Sequence, residues 1–179
     1  MPRIPQIPLV ASVLALAAIL AGCAGPTPTP TPAAGDSLHA FPALEARLPS
    51  AVDGHEMEKV SIAAPESQQD PKTLEVVRRV GRTAADLQVA IATAAGANLQ
   101  VGAFRIVGAE AVQIVVAFQA VEEEGPASSA SYGMATIGGK RLLTRTVEAQ
   151  LTYLYPAEDI MFMLSGEPGL VEEALGQLP

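Results

Sequence analysis

Few residues in this sequence have the types and spacing needed for metal chemistry. Among its 179 residues are two histidines, His39 and His55, and His55 lies close to Asp53, Glu56 and Glu58. Neighbouring residues of a strand point to opposite faces, so His55 and Glu56 do not converge on one ion. The sequence has neither an HExxH pattern nor paired cysteines. We therefore predict no metal site and place His55 on a solvated strand edge.

Motifs for nucleophilic catalysis and phosphate binding are also missing. Ser165-Gly166 ends a predicted strand, but no GxSxG elbow occurs. The segment 138–141, GGKR, lacks two features of a phosphate-binding loop, because Met134 replaces its first glycine and Arg141 its Ser or Thr. The carboxylate pairs at 158–159 and 172–173 are adjacent in sequence and fit a turn and a solvated helix face. We predict no catalytic residues and no cofactor.

The only cysteine, Cys23, stands at the end of an N-terminal apolar segment. Arg3 and the amino terminus make the start weakly positive, and residues 9–20 form an apolar run. A helix needs about 20 residues to span a bilayer, so this run is too short and instead suits a signal-peptide core. It ends in Leu20-Ala21-Gly22-Cys23, where two small residues precede the cysteine.

This segment resembles the signal peptides of bacterial lipoproteins, whose lipobox is a leucine, two small residues and a cysteine. The resemblance implies that a diacylglycerol is attached to the Cys23 sulfur and that residues 1–22 are removed. Two or more acyl chains, such as palmitate, hold a protein stably at a membrane, whereas one does not. We therefore expect a lipid anchor on the extracytoplasmic side of a cell membrane, with the choice of inner or outer membrane left open.

A proline-rich segment separates this cysteine from the rest of the chain. Residues 25–32 read GPTPTPTP, with proline at alternate positions. Such a segment favours the polyproline II conformation, which extends roughly 3 Å per residue, so residues 24–35 would reach about 35 Å. We predict three parts: a signal peptide over 1–22, a lipidated cysteine and stalk over 23–38, and one domain over 39–179.

Periodicity within 39–179 predicts an α+β domain. Alternating apolar residues indicate seven strands, near 54–62, 87–94, 99–107, 132–136, 141–147, 151–155 and 160–164. Helical spacing indicates three helices, beginning at Asp70-Pro71, Glu110 and Pro168. Because hairpins dominate this order, we predict a mainly antiparallel sheet with the helices packed on one face.

Three details extend the fold prediction. Residues 99–118 and 160–175 both run from strand through a glycine-containing turn to helix, which suggests a ββα duplication. The acids at 122–124 oppose the dipole of the second helix, so its end should fray. Segments 102–105, 138–140 and 153–155 loosely resemble uncharacterised extracytoplasmic bacterial lipoproteins, which implies a fold and a location but no site.

The charge pattern limits the partners of the domain. With 11 Lys and Arg against 19 Asp and Glu, the formal net charge is −8, which argues against nucleic-acid binding. Two basic groups stand out, and they either balance nearby acids or, if the fold joins them, attract an anionic headgroup or an acidic partner. They are Arg78, Arg79 and Arg82, and Lys140, Arg141 and Arg145.

Two functions from different classes follow. The first is a non-enzymatic binding or interaction module, anchored through Cys23, that recognises an envelope protein, an envelope polymer or a small apolar ligand. The second is an envelope hydrolase whose site carries no recognisable motif, which His55 near a Ser or Asp would favour. The first would be favoured by an aromatic groove without clustered titratable groups, lined by Phe104, Phe118, Tyr132 and Phe162. We prefer the binding module.

Overall fold

Eight strands and four helices follow one another in the computed structural model, which describes residues 38–63, 69–125 and 130–179. The predicted signal peptide, Cys23 and all but the last residue of the stalk lie outside the described residues. The elements are α1 (Pro42–Glu45), β1 (Ala51–Val52), β2 (His55–Ser61), α2 (Pro71–Arg79), β3 (Leu87–Ala94), β4 (Leu99–Ile106), α3 (Ala111–Glu124), β5 (Ser131–Ile137), β6 (Lys140–Val147), β7 (Gln150–Ala157), β8 (Ile160–Gly166) and α4 (Pro168–Gln177).

The three predicted helices form where their start signals stand. The Asp70 carboxylate accepts a hydrogen bond from the Thr73 N–H at 3.0 Å, which caps the first turn of α2. At the start of α3 the capping residue supplies the backbone group instead, since the Glu110 N–H donates to Gln113 Oε1 at 3.1 Å. Pro168 occupies the first turn of α4, where a missing N–H does no harm.

All eight strands join one antiparallel sheet in the order β1-β2-β3-β4-β8-β7-β6-β5. At its centre β4 pairs with β8, with Ala103 opposite Phe162. The predicted α+β class and antiparallel sheet are confirmed. The strand count rises from seven to eight because β1 has only two residues, too few to show a periodic pattern.

Apolar side chains project from both faces of the central strands. Phe162 packs with Val171 and Leu175 of α4, whereas its neighbour Met161 packs with Ile114 of α3 and Val77 of α2. We call these the first face, covered by α1 and α4, and the second face, covered by α2 and α3. The prediction that the helices pack on one face is therefore wrong. Strands that are apolar on both sides need cover on both sides.

The predicted ββα duplication is not supported either. The order strand, strand, helix does occur twice, as β3-β4-α3 and as β7-β8-α4. Two such units that meet through an antiparallel β4–β8 pair would be related by a twofold axis along the sheet normal. That operation keeps each helix on the same face, yet α3 lies on the second face and α4 on the first.

Candidate functional site

Near the start of the domain His39, Glu45 and Ser61 form a polar cluster. The Ser61 hydroxyl donates to Glu45 Oε1 at 2.5 Å, and His39 Nδ1 lies 3.0 Å from Glu45 Oε2. Ser61 Oγ also accepts the Phe41 N–H at 2.7 Å. Burial opposes ionisation of Glu45, but the hydrogen bonds from Ser61 and His39 outweigh it, and the Glu45 pKa lies below its ordinary value.

This cluster contains a serine, a histidine and a carboxylate, but in an order unsuited to nucleophilic catalysis. A catalytic histidine must take the proton of the serine, and the carboxylate must hold the far side of the imidazole. Here the carboxylate of Glu45 lies between the two, and Ser61 is only 1% exposed. The cluster therefore fastens residues 39–45 to β2.

The second histidine, His55, is the first residue of β2 and follows the turn that connects β1 to β2. Its Nδ1 is 3.3 Å from the carbonyl oxygen of Ala95, and no described Ser or Asp side chain is hydrogen-bonded to it. Among the described residues, no group of three His, Cys, Asp or Glu side chains is placed to hold a metal ion. The observation that would have favoured a hydrolase at His55 is thus not found in this part of the chain.

Several members of the two predicted basic groups are neutralised by carboxylates. Arg78 lies 2.9 Å from Glu75, and Arg79 contacts both Glu75 and Glu124. Lys140, by contrast, donates to the carbonyl oxygens of Leu175 and Leu178 at the end of α4, at 2.8 Å and 2.7 Å. This arrangement favours a balanced surface over a joined anion-binding one.

A buried ion pair joins α3 to the last two strands of the sheet. Arg145 of β6 donates to both carboxylate oxygens of Glu122, at 2.6 Å and 2.5 Å, and the Tyr132 hydroxyl of β5 donates to the same carboxylate. The Arg145 guanidinium also lies 5.8 Å from the ring centroid of Phe118. The helix extends through Glu124, and the ion pairs of Glu122 with Arg145 and of Glu124 with Arg79 oppose the predicted fraying.

The protonation states within this pair are fixed by its surroundings. Burial opposes ionisation of Glu122, but the hydrogen bonds from Arg145 and Tyr132 outweigh it and keep its pKa below the ordinary value. Burial and the Glu122 carboxylate raise the pKa of Tyr132, so the phenol stays protonated and donates. Spacing offers a sequence signal for this pair: Glu122 follows Phe118 by four residues and so falls on the apolar stripe of α3.

An apolar groove of about 550 Å³ runs between α2 and α3 on the outer side of the second face. Val112 and Val116 are 59% and 61% exposed, and Val80, Ala117 and Ala120 continue the lining. One end is bordered by Arg79, whose charge Glu75 and Glu124 already neutralise. Because α3 also buries Ile114, Val115 and Val121, this helix is apolar on both its inner and its outer side.

A smaller concavity of about 200 Å³ opens on the second face of the sheet itself. Gly102 forms part of its floor, and a Cβ added there would lie 3.2 Å from the Phe104 ring. Its polar lining comes mainly from neutral hydrogen-bonding side chains, namely Gln100, Gln150, Thr152 and Ser165. This cleft is below the volume typical of small-molecule sites.

The four aromatic residues whose shared groove would have favoured a binding module are separated by the sheet. Phe104 and Phe118 pack on the second face around a cavity of about 20 Å³, whereas Phe162 is fully buried on the first face. Tyr132 lies at β5, tied to Glu122. The aromatic groove that would have favoured a binding module is therefore not found at these residues. The valine groove was not predicted, because Val112 and Val116 were not assigned to a second apolar side of α3.

Comparisons with known proteins add no family to this description. The sequence matches no family model, no curated protein and no solved structure. Within the described residues, no helix has the length and apolar character that crossing a membrane requires.

Proposed function

We propose that this protein is a lipid-anchored, extracytoplasmic, non-enzymatic binding module whose α2–α3 groove receives an apolar segment of an envelope protein. The observation that carries the proposal is the exposure of Val112 and Val116 in a groove of about 550 Å³. Two large aliphatic side chains, more than half exposed and one helical turn apart, are an apolar surface suited to a partner.

The chemistry of the groove supports an apolar occupant. Val80, Val112, Val116, Ala117 and Ala120 offer aliphatic contact, and the guanidinium of Arg79 at its border is already paired. A charged ligand would have to compete with Glu75 and Glu124 for Arg79. An apolar segment would instead remove the exposed valines from water, contributing roughly 25 cal/mol per Å² of buried apolar area.

The anchor half of the proposal rests on the sequence around Cys23. The short apolar run, the Leu20-Ala21-Gly22-Cys23 motif and the proline stalk occur in the order that a lipid-anchored protein requires. Replacing Cys23 with Ala should release the protein from membranes or leave an unprocessed precursor. If Cys23→Ala fractionates and migrates like the wild type, the anchor is disproved.

The groove is tested by photocrosslinking in living cells. A photoreactive amino acid placed at Val116 of the full-length chain should give one discrete adduct with another envelope protein. Glu172, exposed on α4 at the first face, is the matched control position and should give none. The Val112→Asp substitution should remove the Val116 adduct without unfolding the domain, because Val112 is 59% exposed.

Equal labelling from Val116 and Glu172, or an adduct that survives Val112→Asp, would disprove the groove as the binding surface. The two halves of the proposal fail separately. A negative crosslinking result leaves the Cys23 test unaffected, and the converse also holds.

A further inference from the structure

The strand β5 forms one end of the sheet and pairs only with β6 among the described residues. Its sequence, SYGMATI, contains no charged residue and no proline. Met134 at its middle is 62% exposed. Charges, prolines and bulges are devices that keep an outer strand from pairing, and β5 shows none of them in its sequence or in its regular register with β6.

The turn after β5 determines which of its backbone groups face outwards. Gly138 and Gly139 have φ of 55° and 78°, as a two-residue type I′ hairpin requires, and Ile137 is opposite Lys140. In such a turn the two flanking residues are hydrogen-bonded to each other. Hydrogen-bonded residues then alternate along an antiparallel pair. The N–H and C=O groups of Tyr132, Met134 and Thr136 therefore point away from β6.

We propose that β5 pairs antiparallel with β5 of a second copy of this chain, with Met134 on the twofold axis. In this register Met134 is opposite Met134 of the second copy, and Tyr132 is opposite its Thr136. All six outward N–H and C=O groups of each copy then fall in hydrogen-bonded positions. The same register brings the two exposed Met134 side chains together on the second face. One arrangement therefore pairs the outward backbone groups and also covers the exposed methionine.

Charge explains why a second copy suits this edge. A twofold axis through a strand places the residue on the axis opposite its own copy, so a charge at position 134 would face a like charge. The uncharged β5 avoids this repulsion. The strand is also held in place before pairing, because Tyr132 is hydrogen-bonded to the buried Glu122 of α3. This inference does not depend on the α2–α3 groove or on the anchor.

The register is tested by disulfide crosslinking of the full-length protein in mild detergent, with one cysteine added to the native Cys23. Paired residues of a hydrogen-bonded antiparallel position have Cα atoms about 5.5 Å apart, within the range of a disulfide. Met134→Cys should therefore give a covalent dimer on oxidation. Thr136→Cys is the matched control, since the two copies of residue 136 would lie about 14 Å apart. The wild-type protein, oxidised in the same way, serves as the control for any dimer formed through Cys23.

Three results would overturn the inference. Dimer formation from Thr136→Cys at the level of Met134→Cys would show random collision, and a Met134→Cys adduct to a different protein would show that a foreign strand occupies the edge. A protein that gives no dimer from Met134→Cys would also overturn it.

A charge variant gives an independent readout. Met134→Lys places two ammonium groups at the twofold axis and should make the sedimentation coefficient independent of protein concentration, whereas that of the wild type should rise with concentration. Because Met134 is exposed, the circular dichroism of the variant should match that of the wild type. A wild type that stays monomeric at high concentration contradicts the proposal.

Discussion

At one edge of the sheet β2 is covered by residues 39–52, whereas at the other β5 carries no cover in the described part of the chain. The cover on β2 consists of β1, a bridge between His39 and Ser61, and a hydrogen bond from Lys59 Nζ to the Leu48 carbonyl at 2.6 Å. The covered strand is also charged, with Glu56, Glu58 and Lys59, whereas β5 has no charge at all.

Each edge also has its own buried carboxylate. Glu45 fastens the cover onto β2 through Ser61 and His39, and Glu122 fastens β5 and β6 onto α3 through Tyr132 and Arg145. Glu45 therefore holds the cover on β2, while Glu122 fixes the position of β5, which has no cover among the described residues. In the part of the chain that the structure describes, β2 is protected against strand pairing and β5 is not, which is why we assign pairing to β5.

The largest effect is expected from Glu122→Gln. Arg145, whose side chain is only 22% exposed, would lose its counter-ion, and unfolding in urea should become easier by about 2–3 kcal/mol. Hydrogen exchange should speed up along β5 and not along β2. Glu123→Gln, one position away and exposed, is the control and should stay within about 0.5 kcal/mol. Equal effects of the two variants would show that the ion pair does not hold this edge.

The same carboxylates predict how stability depends on pH. The pKa of Glu122 and that of Glu45 are both lower in the folded protein than the ordinary 4.5. Their contributions are therefore complete above about pH 4.5 and are lost as the pH falls through the folded pKa values. Unfolding free energy measured from pH 6 to pH 3 should fall, and Glu122→Gln should reduce the slope. An unchanged slope in that variant would contradict the assignment.

A smaller effect, located at the other edge of the sheet, is expected from Glu45→Gln. Loss of the carboxylate weakens hydrogen bonds to Ser61 and His39, which should lower stability by about 1 kcal/mol. Hydrogen exchange should then speed up over residues 39–61 and remain unchanged over β5. If β5 responds as strongly as β2, the two edges are not independent and the comparison fails.

The smallest effects concern the turns near the two edges. The β1–β2 turn uses Asp53-Gly54, residues that accept positive φ, whereas the β6–β7 turn places Glu148 and Ala149 at φ of 48° and 68°. Glycine relieves this strain but adds entropy to the unfolded chain, so Ala149→Gly should stabilise the domain by only about 0.5 kcal/mol. Gly54→Ala should destabilise it by a similar amount, since a Cβ there meets no atom within 4 Å and only the backbone is strained. Thermal melting of Ala149→Gly and Gly54→Ala measures both effects. A lower melting temperature for Ala149→Gly would contradict the prediction.

Much of this fold follows from local signals in the sequence. Asp70-Pro71 predicted the start of α2, and Gly138-Gly139 predicted the β5–β6 turn, because caps and turns depend on a few adjacent residues. The assignment of helices to the two faces of the sheet could not be predicted in this way. Met161 and Phe162 are both apolar, and their packing depends on which helix covers which side. Glu122 could have been suspected from its place on the apolar stripe of α3, but its partner Arg145 is distant in sequence.

The open edge is tested most directly by residue-resolved hydrogen exchange of the wild-type protein at increasing protein concentration. Pairing of β5 predicts that the amides of Tyr132, Met134 and Thr136 slow by roughly fivefold when the total concentration is ten times the dimer dissociation constant. The amides of β2, beneath its cover, should keep the same rates throughout. Rates at Tyr132, Met134 and Thr136 that do not change with concentration, or slowing at β2 instead, would contradict the account.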